Sequence, residues 1–513
     1  MGLSRRSFLG SALGLGGMLP RPSPGAATRP FSHGIASGDP LADRVILWTR
    51  VQGPPEITVG WEMGLDPDLR TLIRRGSMRS AQSRDWTVKV DVSGLSAGTT
   101  YYYRFEALGV RSPIGRTRTL PVGPTESARL AFTSCANMPS GFFNVYARIA
   151  ERDDLDAVLH LGDYLYEFGA GAYGDGSRFG RAAVPAHELL SLGDYRARHA
   201  QYKTDPDLQR AHRQHPFIVV WDDHELANNA WKDGASNHQP DEGSWAARRD
   251  AAVRAYFEWM PVREDPSSDA NRIYRSFAIG DLAHLAMLDT RLVGRDQQPR
   301  FDDLEAMSAP NRTLLGEAQA SWLESELAAS KAAGIVWRVL GQQVLMGQNT
   351  PGGHEILNVD QWDGYRASRE RLFDFVRSEG IDNLVVLTGD LHSSWALELT
   401  SDPWDRRRYD PETGRGALGV EFVTPSVTSP GPFRRFDVPQ HRADEVVEQN
   451  PHQKWAEVDH HGYTVLTLTR SWAQADWYFV DTIESRRRKA FWAKGFRTRR
   501  GSHHLVEMDS PAR

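Results

Sequence analysis

Cysteine is almost absent: the 513 residues hold one, Cys135. A single thiol excludes an internal disulfide, so stability has to come from ordinary apolar cores and from any bound metal. Apolar runs of the roughly 18 to 20 residues that a membrane-spanning helix needs are missing as well. A positive charge balance is also lacking, with 61 basic against 66 acidic residues and a net charge of −5. That balance argues against a nucleic-acid partner, whose phosphates call for a basic surface. No internal repeat or long low-complexity tract interrupts the chain.

At the start, Ser4-Arg5-Arg6-Ser7-Phe8-Leu9 leads into a short apolar stretch, Phe8 to Leu19, and then a Pro-rich segment ending Gly25-Ala26-Ala27. The pattern is similar to a twin-arginine export signal. Residues 1–27 are therefore expected to be a signal peptide read by the twin-arginine machinery, leaving a periplasmic or extracellular protein with no stable membrane span. The alternative is an unprocessed basic tail. Removing residues 1–27 takes away three arginines and no acid, which leaves 58 basic and 66 acidic residues, net −8. The remaining length exceeds one typical core and predicts at least two domains.

Residues 28–122 read as an all-β module. Arg44 to Arg50, Ile57 to Glu62 and Trp86 to Val92 are short alternating runs split by turns. Leu95, Ala97-Gly98-Thr99 and Tyr101 to Phe105 resemble the corner and adjoining strand of fibronectin type III or immunoglobulin-like sandwiches. The expected role is to brace or shield the larger C-terminal part, and Pro121 to Pro124 is the expected linker. From residue 123 to 500 the texture changes to α/β: apolar runs at Leu155 to Leu161, Phe217 to Trp221, Leu282 to Leu288, Val336 to Leu340 and Leu384 to Leu387 alternate with helical stretches. The helices are expected at Tyr195 to Tyr202, Ser244 to Trp259, Gly316 to Ala333 and Ser368 to Glu379. Residues 501–513 are set apart as a tail. With Arg486 to Lys489 and His503-His504, the C-terminal stretch is read as a solvated face or loose end, with a flap over the site as the alternative.

Polar groups able to bind metal follow several of these apolar runs, where an α/β fold gathers ligand-binding loops. Cys135 is either a small buried hydrophobe or a ligand. As the one thiol in a chain bound for an oxidising compartment, it is read as a ligand. Asp163 and Tyr166 reach one ion if the chain turns sharply after Leu161-Gly162. Asp222-Asp223-His224-Glu225 puts three acids and an imidazole behind an apolar run, so either a cation balances them or the segment is a solvated loop and helix start. Asn228 and Asn229 support this cluster or are polar helix residues. Asp390 and His392, two apart, point the same way if the strand direction continues, and each then binds one of two neighbouring metals. A thiolate with a phenolate favours trivalent iron over magnesium alone. Arg291 clamps a phosphate bidentately or forms an ordinary salt bridge to Asp289 or another acid.

Taken in order, Phe132-Thr133-Ser134-Cys135, Gly162-Asp163-Tyr164-Leu165-Tyr166-Glu167, Trp221-Asp222-Asp223-His224-Glu225 with Asn228-Asn229, Leu288-Asp289-Thr290-Arg291, Gln361-Trp362-Asp363-Gly364-Tyr365 and Leu387-Thr388-Gly389-Asp390-Leu391-His392 resemble the PhoD-like alkaline phosphatase family over nearly the whole chain. The resemblance implies an α/β, four-layer αββα calcineurin-like metallophosphoesterase domain preceded by the small all-β sandwich. It implies Fe(III) together with one or two Ca(II) ions. Cys135, Tyr166 and His392 then bind the iron, Asp163 bridges, and Asp223 and Asp390 serve the calcium site. Whether Asp222 or Asp223 is the direct ligand stays open, because the wider superfamily usually has asparagine at that position.

The expected reaction is hydrolysis of phosphate monoesters or diesters by a metal-activated hydroxide. His224 donates to the leaving oxygen; the alternative is a structural imidazole oriented by Glu225 or Asp222. A phospholipase D-type action on lipid headgroups is an alternative substrate reading, with Trp362, Tyr365 or Trp395 receiving a lipid or nucleoside, or merely packing. A non-catalytic surface-binding protein with structural metals is the alternative of another class.

Overall fold

The computed structural model describes residues 30–53, 56–264, 272–431 and 440–513. The expected signal, residues 1–27, lies outside the described residues. Apolar runs become strands at Ala157–His160, Pro216–Val219, Ala283–Met287, Trp337–Gln342 and Leu384–Thr388. Between them stand the helices Leu192–Lys203, Trp245–Trp259, Gly316–Ala332 and Arg366–Ser378. The first opens on a capping box in which Ser191 and Asp194 each accept the other's backbone N–H.

Among the described residues the strands form sheets of ten, seven and five strands. Parallel strands Ser127–Thr133, Ala157–His160 and Pro216–Val219 make the middle of the ten-stranded sheet. The seven-stranded sheet is built around parallel Ala283–Met287, Trp337–Gln342, Leu384–Thr388 and Gly419–Val423. Successive side chains on a strand face opposite ways. Val385 and Leu387 accordingly share a core with Leu130, Phe132 and Leu159 of the ten-stranded sheet, whereas Leu384 and Val386 pack with Leu323, Leu327, Leu372 and Phe373 from two helices. Helices Leu192–Lys203 and Pro206–Gln214 add Tyr195 and Leu208 to the first core. The layers are thus helix, sheet, sheet and helix, the α/β four-layer αββα arrangement.

The N-terminal all-β region precedes it, and its two faces belong to different sheets. Glu56–Gly64, Leu72–Ala81, Thr100–Ala107, Val110–Arg111 and Gly115–Arg118 form the five-stranded sheet. Ile35–Gly38, Arg44–Arg50 and Thr87–Ser93 instead extend the ten-stranded sheet, with Ser37 paired to Pro216 in parallel. Val45, Leu47, Val88 and Val90 meet Val59, Met63, Tyr103 and Phe105 in a core of their own. Strand pairing therefore crosses the position near residue 122 where composition changes.

The C-terminal stretch is not a loose end. Ala490–Arg499 pairs with Trp472–Val480, and Val506–Met508 pairs with Ala490–Arg499 in turn. His503 accepts the Asn383 N–H at 3.1 Å, and His504 Nδ1 lies 2.9 Å from the buried Glu398 carboxylate. Arg486 pairs with Asp205 and Asp207 at the start of helix Pro206–Gln214. These contacts attach the tail to the sheets and correct the reading of a loose end, while Arg486 to Lys489 are exposed as a solvated face. No helix among the described residues is long and apolar enough to cross a membrane.

Candidate metal centre

The chain leaves strands Ser127–Thr133, Ala157–His160, Pro216–Val219 and Leu384–Thr388 on neighbouring loops, and each loop carries candidate ligands. These loops approach closely. A Cβ on Gly162 (φ 104°) would lie 2.3 Å from the Cβ of Asp222, so only glycine fits there. Three ligand groups result, each with its donor atoms within 4.8 Å of one another: Cys135, Asp163 and His392; Asp163, Asp223 and His224; and Asp222, Asp223 and Asp390. Asp163 and Asp223 are each shared by two groups, so the groups adjoin.

Tyr166 joins the first group through its hydroxyl, which donates to Asp163 Oδ2 at 2.8 Å and lies 3.1 Å from His392 Nε2. The Ser429 hydroxyl donates to it at 2.6 Å. His392 Nδ1 lies 2.9 Å from the Pro430 carbonyl, a contact that needs the proton on Nδ1 and turns Nε2 toward the cluster. In the third group, Asp390 Oδ2 accepts from Gln361 at 2.6 Å, and Asp223 Oδ2 accepts the Asn229 N–H at 2.6 Å. Asp222 Oδ2 and Asp223 Oδ1 are buried without a hydrogen-bond donor.

Such a cluster is costly without a cation. Burial, reinforced by Asp163, pushes the Cys135 thiol and the Tyr166 phenol well above their usual ranges. Burial also raises Asp222 and Asp390, and lifts Asp223 to about 6, against the pull of Arg291. Asp163 departs from this pattern: burial would raise it, but His224 and His392 hold it at about 2. The donor set fits metal ions on these grounds. The thiol, phenol and imidazole group suits a softer or trivalent transition ion, and the all-carboxylate group suits a hard cation.

His224 stands on the other side of Asp163. Its Nδ1 lies 2.7 Å from Glu167 Oε2, and Glu167 Oε1 accepts from Asn228 N at 2.7 Å and Asn237 Nδ2 at 2.9 Å. The acid that orients His224 is therefore Glu167, not Glu225 or Asp222. Burial lowers the His224 pKa, but Asp223, Glu167 and Asp163 together outweigh it and raise the imidazole well above its usual value. The Tyr166 ring lies 4.2 Å from the His224 ring between centroids. Asn228 and Asn229 lie in turns rather than a helix, and both support the cluster through backbone N–H groups.

A cavity of about 230 Å³ opens onto Asp163, Asp223, His224, Asp390 and His392, with Phe168 and Tyr173 on its wall. Among the described residues no lysine or arginine lines it. Arg291 is fully buried behind the cluster, where it pairs with Asp222, with Asp360 at 2.8 Å, with Asp390 at 3.2 Å and with Asp223 at 3.4 Å. This is the salt-bridge alternative, with other acids than Asp289 as partners. Trp362, Tyr365 and Trp395 are at most 1% exposed and bond Gln342, Asp296 and Ser393, so they pack the core and receive no ligand.

The sequence matches the PhoD-like phosphatase family over residues 130–477 and the N-terminal domain of PhoD-like phosphatases over residues 18–121. It is 38% identical over 480 residues to alkaline phosphatase D of Bacillus subtilis (strain 168), covering 89% of this chain and 78% of that protein. The solved structure of PhoD superposes with a TM-score of 0.84 at 33% identity, covering 96% of this chain and 94% of the other.

Proposed function

The chain belongs to the PhoD-like phosphatase family and is a phosphoric ester hydrolase; from there we propose an exported, metal-dependent enzyme that cleaves phosphodiesters in preference to monoesters. The absence of lysine and arginine from the cavity wall among the described residues carries the diester reading. With Arg291 held by four aspartates, no lysine or arginine among the described residues meets the substrate phosphate. The phosphate would meet its charge chiefly at the bound metals and at His224, a smaller demand for a singly charged diester than for a doubly charged monoester. Phe168 and Tyr173 offer an apolar wall to one esterifying group.

Cys135, Tyr166, His392 and Asp163 would hold iron(III), and Asp163, Asp223 and Asp390 would hold calcium. Asp223 is preferred over Asp222 as the direct ligand because it lines the cavity, whereas Asp222 is tied to Arg291 behind it. Metal ions bound there supply charge to the phosphate oxygens and acidify a water. His224, held at Nδ1 by Glu167, keeps Nε2 for the cavity and donates a proton to the departing oxygen. Export rests on the paired Arg5-Arg6 motif and the short apolar stretch behind it.

Purified mature protein should contain about one iron per chain and hydrolyse a bis(aryl) phosphate at alkaline pH faster than the matching aryl phosphate, with calcium required for either. A monoester preference would overturn the diester reading, and an iron-free, inactive protein would overturn the metal assignment.

A further inference from the structure

Four candidate ligands sit in the left-handed backbone region that non-glycine residues avoid: Cys135 (φ 62°), Asp163 (φ 54°), Asp390 (φ 55°) and His392 (φ 55°). Such conformations persist only where the surroundings impose them. At Asp163 the imposing group can be named. Glu225, 2% exposed, accepts the Tyr164 N–H on Oε1 at 2.7 Å and the Asp163 N–H on Oε2 at 2.9 Å. Its Oε2 also accepts the Asp222 N–H at 2.8 Å.

These three N–H groups come from two loops, one after strand Ala157–His160 and the other after Pro216–Val219. One carboxylate therefore ties together the loops that carry Asp163, Tyr166, Asp222 and Asp223. The Asp163 loop is tied in turn to the cysteine loop, because Gly162 O accepts the Cys135 N–H at 3.2 Å and Asp163 O accepts the Ala136 N–H at 2.8 Å. Glu225 itself belongs to none of the ligand groups and does not line the cavity.

We propose that Glu225 is a positioning residue that clamps the two ligand loops in register, so that it governs how long the centre retains its metals without touching metal or substrate. The inference rests on the metal-dependent reading of this site. Glutamine cannot replace the carboxylate, because its amide has one acceptor oxygen and would turn an NH2 group toward backbone donors.

The test compares wild-type holoprotein with Glu225→Gln and with Glu398→Gln. Glu398 is a fully buried carboxylate that also accepts a backbone N–H, from Leu505 at 2.8 Å, but lies outside the ligand groups. Hydrogen exchange is followed by mass spectrometry on peptides covering 161–166 and 220–226, and metal remaining per chain is measured during an EDTA challenge. Glu225→Gln is expected to exchange at least tenfold faster in both peptides together and to lose metal at least tenfold faster. Its diester hydrolysis is expected to recover when excess metal is added. Glu398→Gln is expected to lower the melting temperature and change neither readout.

Unchanged metal loss in Glu225→Gln, or loosening of only one of the two loops, overturns the clamp. If Glu225→Gln does not accumulate as folded protein, Glu225→Asp, which sets the acceptors back by one methylene, is put through the same comparison with the same deciding outcomes. A wild-type protein that holds no metal and cleaves nothing would sink the hydrolase chemistry instead, and the exchange readout would still decide the clamp.

Discussion

Cys135 and His224 show what single side chains contribute to this centre. Cys135 is fully buried, and burial with Asp163 holds its thiol protonated, so it would act as a ligand only with a cation that draws the proton off. Cys135→Ser should lower kcat by about 100-fold or more and remove the iron, while near-UV circular dichroism stays native. The 2.7 Å contact between Glu167 and His224 makes a separate prediction. Glu167→Gln should slow cleavage of alkyl esters by about 100-fold but activated aryl esters far less, because only the poor leaving group needs the proton. A comparison of p-nitrophenyl and alkyl leaving groups checks it; equal losses on both would assign His224 a structural role. The sequence offered Glu225 and Asp222, its near neighbours, to orient this histidine, and not Glu167. Glu167 is 57 positions from His224, and only the folding of two strand ends together makes it the partner.

At the scale of elements, period-two apolar runs and helical stretches were legible, because an element that buries one face repeats its apolar side chains at its own spacing. Ser394–Leu399, Gly419–Val423, Gly462–Thr469 and Trp472–Val480 do not stand out in the sequence, although each is a strand in a central sheet. Buried polar residues break their pattern: Glu398, Glu421, Thr464, Gln474 and Asp476 are nearly inaccessible and bonded to partners distant in sequence. The N-terminal module was legible as β structure but not as part of the large sheet. Trp48 marks that junction, since its Nε1–H donates to Glu258 O at 2.9 Å and its ring packs against Trp259. Trp48→Ala should destabilise the folded chain by about 3–5 kcal/mol. A melting transition lowered for the whole chain would show the two parts unfolding as one; a separate early transition would show that the shared sheet does not couple them.

For the whole molecule, acidity and burial set the stable pH range. His160, His199 and His452 are fully or almost fully buried, and burial lowers each to about 3; His215, likewise buried, is lowered to about 4. As pH falls below about 6.5, the unfolded chain takes up protons at these histidines that the folded chain refuses. Each therefore removes about 1.4 kcal/mol of stability per pH unit, down to its folded value. Lys203 adds the same sign at high pH: burial lowers it well below its usual value, so stability keeps rising toward the pKa of an exposed lysine. These histidines should thus lower the melting temperature as pH falls from 6.5 toward 4, and a scan over that range measures it. The sequence by itself determined which residue types were available, the lack of an internal disulfide, and the alternation of strands and helices, because composition and spacing are properties of the chain alone. Which acid meets which donor was decided by tertiary structure. Arg291 spans four aspartates, Glu225 joins two loops, and Glu167 holds His224 because separate strand ends converge, and no local spacing encodes a contact made across that distance.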